Sequence, residues 1–166
     1  MTILRLHLGH LKAKIAVVAH RIGLELSSCS IDSSSSLSHL VFLRRVLDLS
    51  YKYNHFNYSQ IPSTIGNLSM LTYLNLSYCF FLGQIPSEVS LLHKLSILDV
   101  SYNLLFSPVP NHLANISSMT SLILHNCGLI GEFPIGSLQV PNLQFLELWD
   151  NSNLKGYFPN LHLSVR

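Results

Sequence analysis

One feature narrows what this chain can fold into more than any other: a repeat of constant length. Ile61-Pro62, Ile85-Pro86, Val109-Pro110 and Phe133-Pro134 recur every 24 residues, and Phe158-Pro159 follows one residue late. Further columns keep the same period: Leu68, Leu92, Ile116 and Val140; Leu71, Leu95, Met119 and Leu143; Leu74, Leu98, Leu122 and Leu146; Leu76, Val100, Leu124 and Leu148. A unit of this size cannot bury its own apolar face, so it must stack on copies of itself to make a core.

Each unit reads L-x-x-L-x-L-x-x-N/C-x-L, best kept in Leu71 to Leu82 and Leu95 to Leu105. This is the leucine-rich repeat pattern. The L-x-L centre alternates, so Leu74 and Leu76 are expected inside and Tyr73, Asn75 and Ser77 outside, as in a short strand with one buried face. Gly83-Gln84-Ile85-Pro86 turns the chain, with a proline that cannot donate to a ladder. The expected fold is an α/β solenoid: a right-handed curved coil with a parallel concave sheet and a convex side of short 3-10 or irregular segments. Residues 21–166 would form five to six repeats, with residues 1–20 an atypical basic segment. The first and last coils are irregular: Leu47-Asp48-Leu49-Ser50 precedes Leu74-Asn75-Leu76-Ser77 by 27 residues, placing an insertion near Lys52 to Asn54, and a still earlier copy lies at Ile22 to Cys29. Neither end offers a recognisable cap.

Composition excludes several classes. Of 166 residues, 48% are hydrophobic and 11% charged, against disorder. No apolar run is long enough for a membrane helix. Net charge is +2, but Arg5, Lys12, Lys14 and Arg21 all precede the first acid, Glu25; the remaining six bases against eight acids leave the rest of the chain at −2. That is no nucleic-acid-binding face. The basic start is a poor secretory leader, because Lys12 and Lys14 interrupt its apolar stretch.

Cys29, Cys79 and Cys127 share the column occupied by Asn103 and Asn151, where side chains turn inward and bond neighbouring coils. Cys79 and Cys127 are two coils apart, about 10 Å at strand spacing, beyond disulfide reach, so they read as buried structural thiols. The nine histidines do not cluster, and no metal-binding, nucleophile-elbow, phosphate-loop or kinase motif occurs. No catalytic residue, metal site or cofactor is expected, and the chain does not read as an enzyme.

Recognition chemistry should then lie on the outward strand positions. One row reads Glu25, Asp48, Asn75, Asp99, Ile123, Glu147; beside it stand Tyr73, Ile97, Ser121 and Phe145, and after it Ser50, Ser77, Ser101, His125 and Trp149, then Tyr51, Tyr78, Tyr102, Asn126 and Asp150. The candidate ligand-binding residues are Asp48, Tyr73, Asn75, Ile97, Asp99, Tyr102, His125, Phe145, Glu147 and Trp149. Aromatics supply contact area at low entropic cost, and the acids would select a basic peptide or protein patch. N-x-S acceptor triplets occur at Asn57, Asn67, Asn75 and Asn115, where composition alone gives roughly two. A glycan on Asn75 would obstruct the concave face.

Val46 to Pro62, Ile65-Gly66-Asn67-Leu68-Ser69, Leu74 to Pro86 and Leu98 to Asn103 resemble the extracellular repeats of plant receptor-like proteins of the disease-resistance type. Ile22 to Leu37 resembles their first repeats, and the G-x-[IF]-P elements at Gly83, Gly131 and Gly156 mark the plant subtype. The resemblance implies a cell-surface or extracellular module that recognises a pathogen-derived or endogenous protein or peptide and signals through a receptor kinase co-receptor. The paired-cysteine cap, most repeats, the membrane helix and the cytoplasmic tail of that family are missing from the sequence, which therefore reads as a truncated ectodomain fragment. A secreted inhibitor of a cell-wall-degrading enzyme and a nonfunctional receptor fragment are the alternatives.

Overall fold

The computed structural model describes residues 45–50, 56, 58–134 and 139–156 with side chains, and the backbone of four further strands. Every L-x-L becomes a three-residue strand: β4 (Val46–Asp48), β5 (Tyr73–Asn75), β6 (Ile97–Asp99), β7 (Ser121–Ile123) and β9 (Phe145–Glu147). Each coil returns in the same direction, so the strands pair in parallel, and the register sets Leu47, Leu74, Leu98, Leu122 and Leu146 opposite one another. All five are buried in one continuous core. The 27-residue spacing before Leu74 does not disturb this pairing; Lys52 to Asn54 themselves, with Cys29, Tyr51 and Asn57, lie outside the described residues.

The sheet extends beyond the regular coils. Strands β1 (Thr2–Leu8), β2 (Leu11–Val18) and β3 (Arg21–Glu25) pair antiparallel in succession, and β3 pairs in parallel with β4. The backbone register sets Leu24, Ile15 and Leu4 in line with Leu47, and Glu25, Lys14 and Arg5 in line with Asp48. The basic start therefore takes part in the sheet. At the other end β11 (Ser164–Val165) pairs with β9, giving this sheet nine strands among the described residues.

On the convex side, Pro62, Pro86 and Pro110 stand in extended conformation at the head of 3-10 helices Ser63–Asn67, Ser87–Leu91 and Asn111–Asn115. Proline's missing N–H costs nothing at that place, while its carbonyl accepts from Ile65, Val89 or Leu113, the inward residue of each helix. The helices pack closely: a Cβ on Gly66 would lie 2.7 Å from the Glu88 carbonyl oxygen. Between sheet and helices, β8 (Ile130–Glu132) pairs in parallel with β10 (Asn153–Lys155), and Gly131 holds φ +79° there, a conformation that glycine adopts without steric cost.

Buried polar groups bind coil to coil. Asn103 Nδ2 donates to the carbonyls of Leu76 (2.9 Å) and Val100 (2.8 Å), while its Oδ1 accepts from the Phe81 amide (2.9 Å). Asn151 repeats this, donating to Leu124 and Leu148 and accepting from the Cys127 and Leu129 amides. Cys79 and Cys127 fill the same column as buried free thiols. Their sulfurs donate to Leu49 (3.2 Å) and Val100 (3.1 Å), and the Cys127 main-chain oxygen takes the Leu105 amide that an asparagine Oδ1 would otherwise hold. A thiol donates weakly and accepts poorly, so the backbone supplies the acceptor. Burial pushes the Cys127 thiol up to about 12 and that of Cys79 further in the same direction.

Candidate concave recognition face

The strand register makes neighbours of residues 24 or more positions apart. Asp48, Asn75, Asp99, Ile123 and Glu147 form one row and Tyr73, Ile97, Ser121 and Phe145 the next. Asp48, Tyr73, Ile97, Asp99, Tyr102, Phe145 and Glu147 are half-buried, Trp149 is 41% exposed, and Asn75 and His125 are buried at 8% and 9%.

The first three coils of the row carry a local device that alternation did not reveal. Asp48 Oδ1 accepts from the amide and hydroxyl of Ser50, Asn75 Oδ1 from the Ser77 amide (2.9 Å), and Asp99 Oδ1 from the Ser101 amide (2.9 Å) and hydroxyl (2.7 Å). Each D/N-x-S is an Asx-type turn that closes the strand. This corrects the expectation that Asn75 and Ser77 point to solvent: both are buried, and Asn75 Nδ2 donates to the Tyr73 hydroxyl (3.1 Å). An amide nitrogen so engaged is a poor glycan acceptor. Asn67 and Asn115 instead stand exposed at the ends of 3-10 helices, as do Ser69 and Ser117 of their triplets. Burial raises the Asp99 carboxyl, against the lowering effects of its Ser101 bonds and of nearby His125.

The last two described coils place His125 and Trp149 where the earlier ones have serine, and an aromatic cluster forms. Tyr78 and Tyr102 stack with centroids 4.1 Å apart and planes 13° from parallel; His125 and Trp149 stack at 4.0 Å and 8°. The two pairs meet at right angles, Tyr102 lying 5.0 Å from His125 and 6.4 Å from Trp149. Glu147 Oε2 lies 2.9 Å from His125 Nδ1. That nitrogen makes no aligned hydrogen bond. Tyr78, Tyr102, Asn126 and Asp150 occupy one column and all have positive φ, between 50° and 58°. Asn and Asp tolerate that conformation, whereas tyrosine is strained there.

Of the ten residues proposed from sequence, the structure brings Tyr102, His125, Glu147 and Trp149 into contact and places Asp99 within electrostatic reach. Asp48, Tyr73 and Asn75 form a second group on adjacent strands. Ile97 and Phe145 are separated by Ser121. Tyr78 joins the cluster; its place in the Tyr102 column was the clue in the sequence. Among the described residues no group of three or more His, Cys, Asp or Glu is arranged to hold a metal.

Parallel three-residue strands, 3-10 returns and an inward asparagine column together define a leucine-rich-repeat solenoid. A family model described as Leucine Rich Repeat matches residues 70–92. Receptor-like protein 6 of Arabidopsis thaliana is 30% identical over 173 residues, covering 83% of this chain, which spans 17% of that protein's length. The ectodomain of the Arabidopsis receptor kinase SOBIR1 superposes with a TM-score of 0.63 at 25% identity, covering 91% of this chain and 84% of that one. The Arabidopsis receptor kinase HAESA, solved with the peptide hormone IDA and the co-receptor SERK1, gives 0.59 at 26% identity, covering 75% and 22%. The chain is a leucine-rich-repeat solenoid, similar over most of its length to a plant receptor-like protein and to the ectodomains of plant receptor kinases.

Proposed function

We propose that this chain is a noncatalytic recognition module that binds a peptide or protein ligand on its concave sheet. It would act at the cell surface or outside the cell, in defence or developmental signalling, with a receptor kinase as co-receptor. The observation that carries the reading is the concave face itself: parallel strands β4 to β7 and β9, whose outward columns hold half-buried aromatics and acids over a buried apolar core. HAESA, of the same fold, was solved with a peptide and a co-receptor bound. Asp48, Tyr73, Asn75, Ile97, Asp99, Tyr102, His125, Phe145, Glu147 and Trp149 are the proposed contact residues, with Asn75 supporting Tyr73 from beneath. Asn67 and Asn115 are the proposed glycan sites. Among the described residues no helix is long and apolar enough to cross a membrane.

Panning the immobilised chain against a random peptide library tests the reading. Selected peptides should lose about tenfold or more in affinity for Tyr73→Ala and Ile97→Lys, and should keep it for the convex variant Leu91→Ser. Peptides indifferent to the concave changes, or an unenriched library, would refute it.

A further inference from the structure

The concave columns change character along the solenoid. From Asp48 to Asp99 the polar side chain is tied to a serine two residues on. In the next two coils that serine is replaced by His125 and Trp149, so Glu147 is free of the turn and faces an aromatic corner instead. Asp99 directs both its turn bonds to Oδ1, leaving Oδ2 for another donor. Among the residues described with side chains, the Lys and Arg are Arg45, Lys94 and Lys155; none stands in these columns, where His125 is the one basic side chain described. The corner thus combines an exposed indole, a perpendicular tyrosine and two carboxylates, with no Lys or Arg beside them among the residues described with side chains. Tyr78 and Tyr102 hold their stacked rings there on strained backbone.

We propose that this corner is the subsite for one arginine side chain of the peptide ligand. The guanidinium would lie on the Trp149 indole and donate to Glu147, with Asp99 supplying the second negative charge. A planar cation with a fork of donors suits an aromatic wall beside a carboxylate better than the compact, strongly hydrated ammonium of lysine does. The proposal rests on the recognition reading above and specifies one contact within it.

Trp149 is the single tryptophan of the chain, so its fluorescence reports on the corner directly. The intact chain would be titrated with acetyl-Gly-Arg-Gly-amide, with its citrulline counterpart (nearly the same shape, uncharged), with its lysine counterpart and with cellotetraose. The arginine probe should perturb the emission saturably and bind about tenfold or more tightly than the citrulline probe, with lysine between them. Glu147→Gln, its fold verified by circular dichroism, should abolish the preference for arginine over citrulline without weakening the citrulline probe. Equal binding of arginine and citrulline probes, an unchanged preference in Glu147→Gln, or saturation by cellotetraose alone would overturn the proposal. Library peptides that require Tyr73 and Ile97 but bind without arginine would sink the subsite and leave the recognition reading standing. An arginine preference in the probes with no peptide selected would do the reverse.

Discussion

Replacing Asn103 by alanine removes the clamp between two coils, and its cost follows from the bonds lost. The Phe81 amide loses its acceptor at 2.9 Å, and the Leu76 carbonyl loses its donor at 2.9 Å. Both lie beside fully buried apolar side chains, out of reach of bulk water. The Val100 carbonyl is less affected, since the Cys127 thiol also donates to it. An unsatisfied buried group costs about 1–3 kcal/mol, so two orphans should destabilise the fold by roughly 2–6 kcal/mol, a large fraction of the ~5–15 kcal/mol that holds a domain. Cys127→Ala is the matched control. It removes only weak sulfur bonds and leaves the Leu105 amide on the residue's own carbonyl, so about 1–2 kcal/mol is expected, part of it for the vacated space. Urea unfolding followed by circular dichroism and by Trp149 fluorescence gives both values, provided the two probes coincide. Asn103→Ala costing under ~1 kcal/mol, or no more than Cys127→Ala, would refute the account of the ladder.

Gly66→Ala should destabilise by about 1–3 kcal/mol, because the nearest atom its new methyl meets is the main-chain oxygen of Glu88, which cannot swing aside as a side-chain tip can; unchanged urea midpoints would disprove that contact. The raised Asp99 carboxyl means that the native state binds more protons than the unfolded chain between the ordinary value of 3.8 and the raised one. Stability should therefore fall as pH rises through that window, and Asp99→Asn should flatten this slope; identical pH profiles for both proteins would count against it. Cys79 and Cys127 should resist Ellman's reagent in the native protein and react once it is unfolded, since burial keeps both as thiols. Prompt native labelling of either, located by mass spectrometry, would contradict their placement.

The repeat period made the core legible, because every leucine of the inner file is specified by spacing alone and solvent exclusion does the rest. The same reasoning located the asparagine column and recognised Cys79 and Cys127 as its substitutes. It failed one step outward. Strict alternation predicts that Asn75 and Ser77 face water, yet a side-chain oxygen that can cap a nearby amide turns onto it and becomes covered. The D/N-x-S triplet was visible in three successive coils, and its turn chemistry was the overlooked clue. The basic start was read by its charge, which obscured the alternating pattern of Thr2 to Leu8 that lets those residues pair as a strand.

What spacing determined by itself was the stacking: which residues lie inside, which coils adjoin, and which columns look outward. Only the tertiary structure decided how those columns are used. Turn bonds cover Asn75 and engage one carboxylate oxygen each of Asp48 and Asp99, whereas Tyr102, His125, Glu147 and Trp149 from three successive coils converge into a corner. The division has a physical origin. Burial depends on a period that spacing alone displays, but ring stacking and the close approach of His125 to Glu147 depend on side-chain directions in residues a full turn apart, set by left-handed backbone and packing that no single repeat contains.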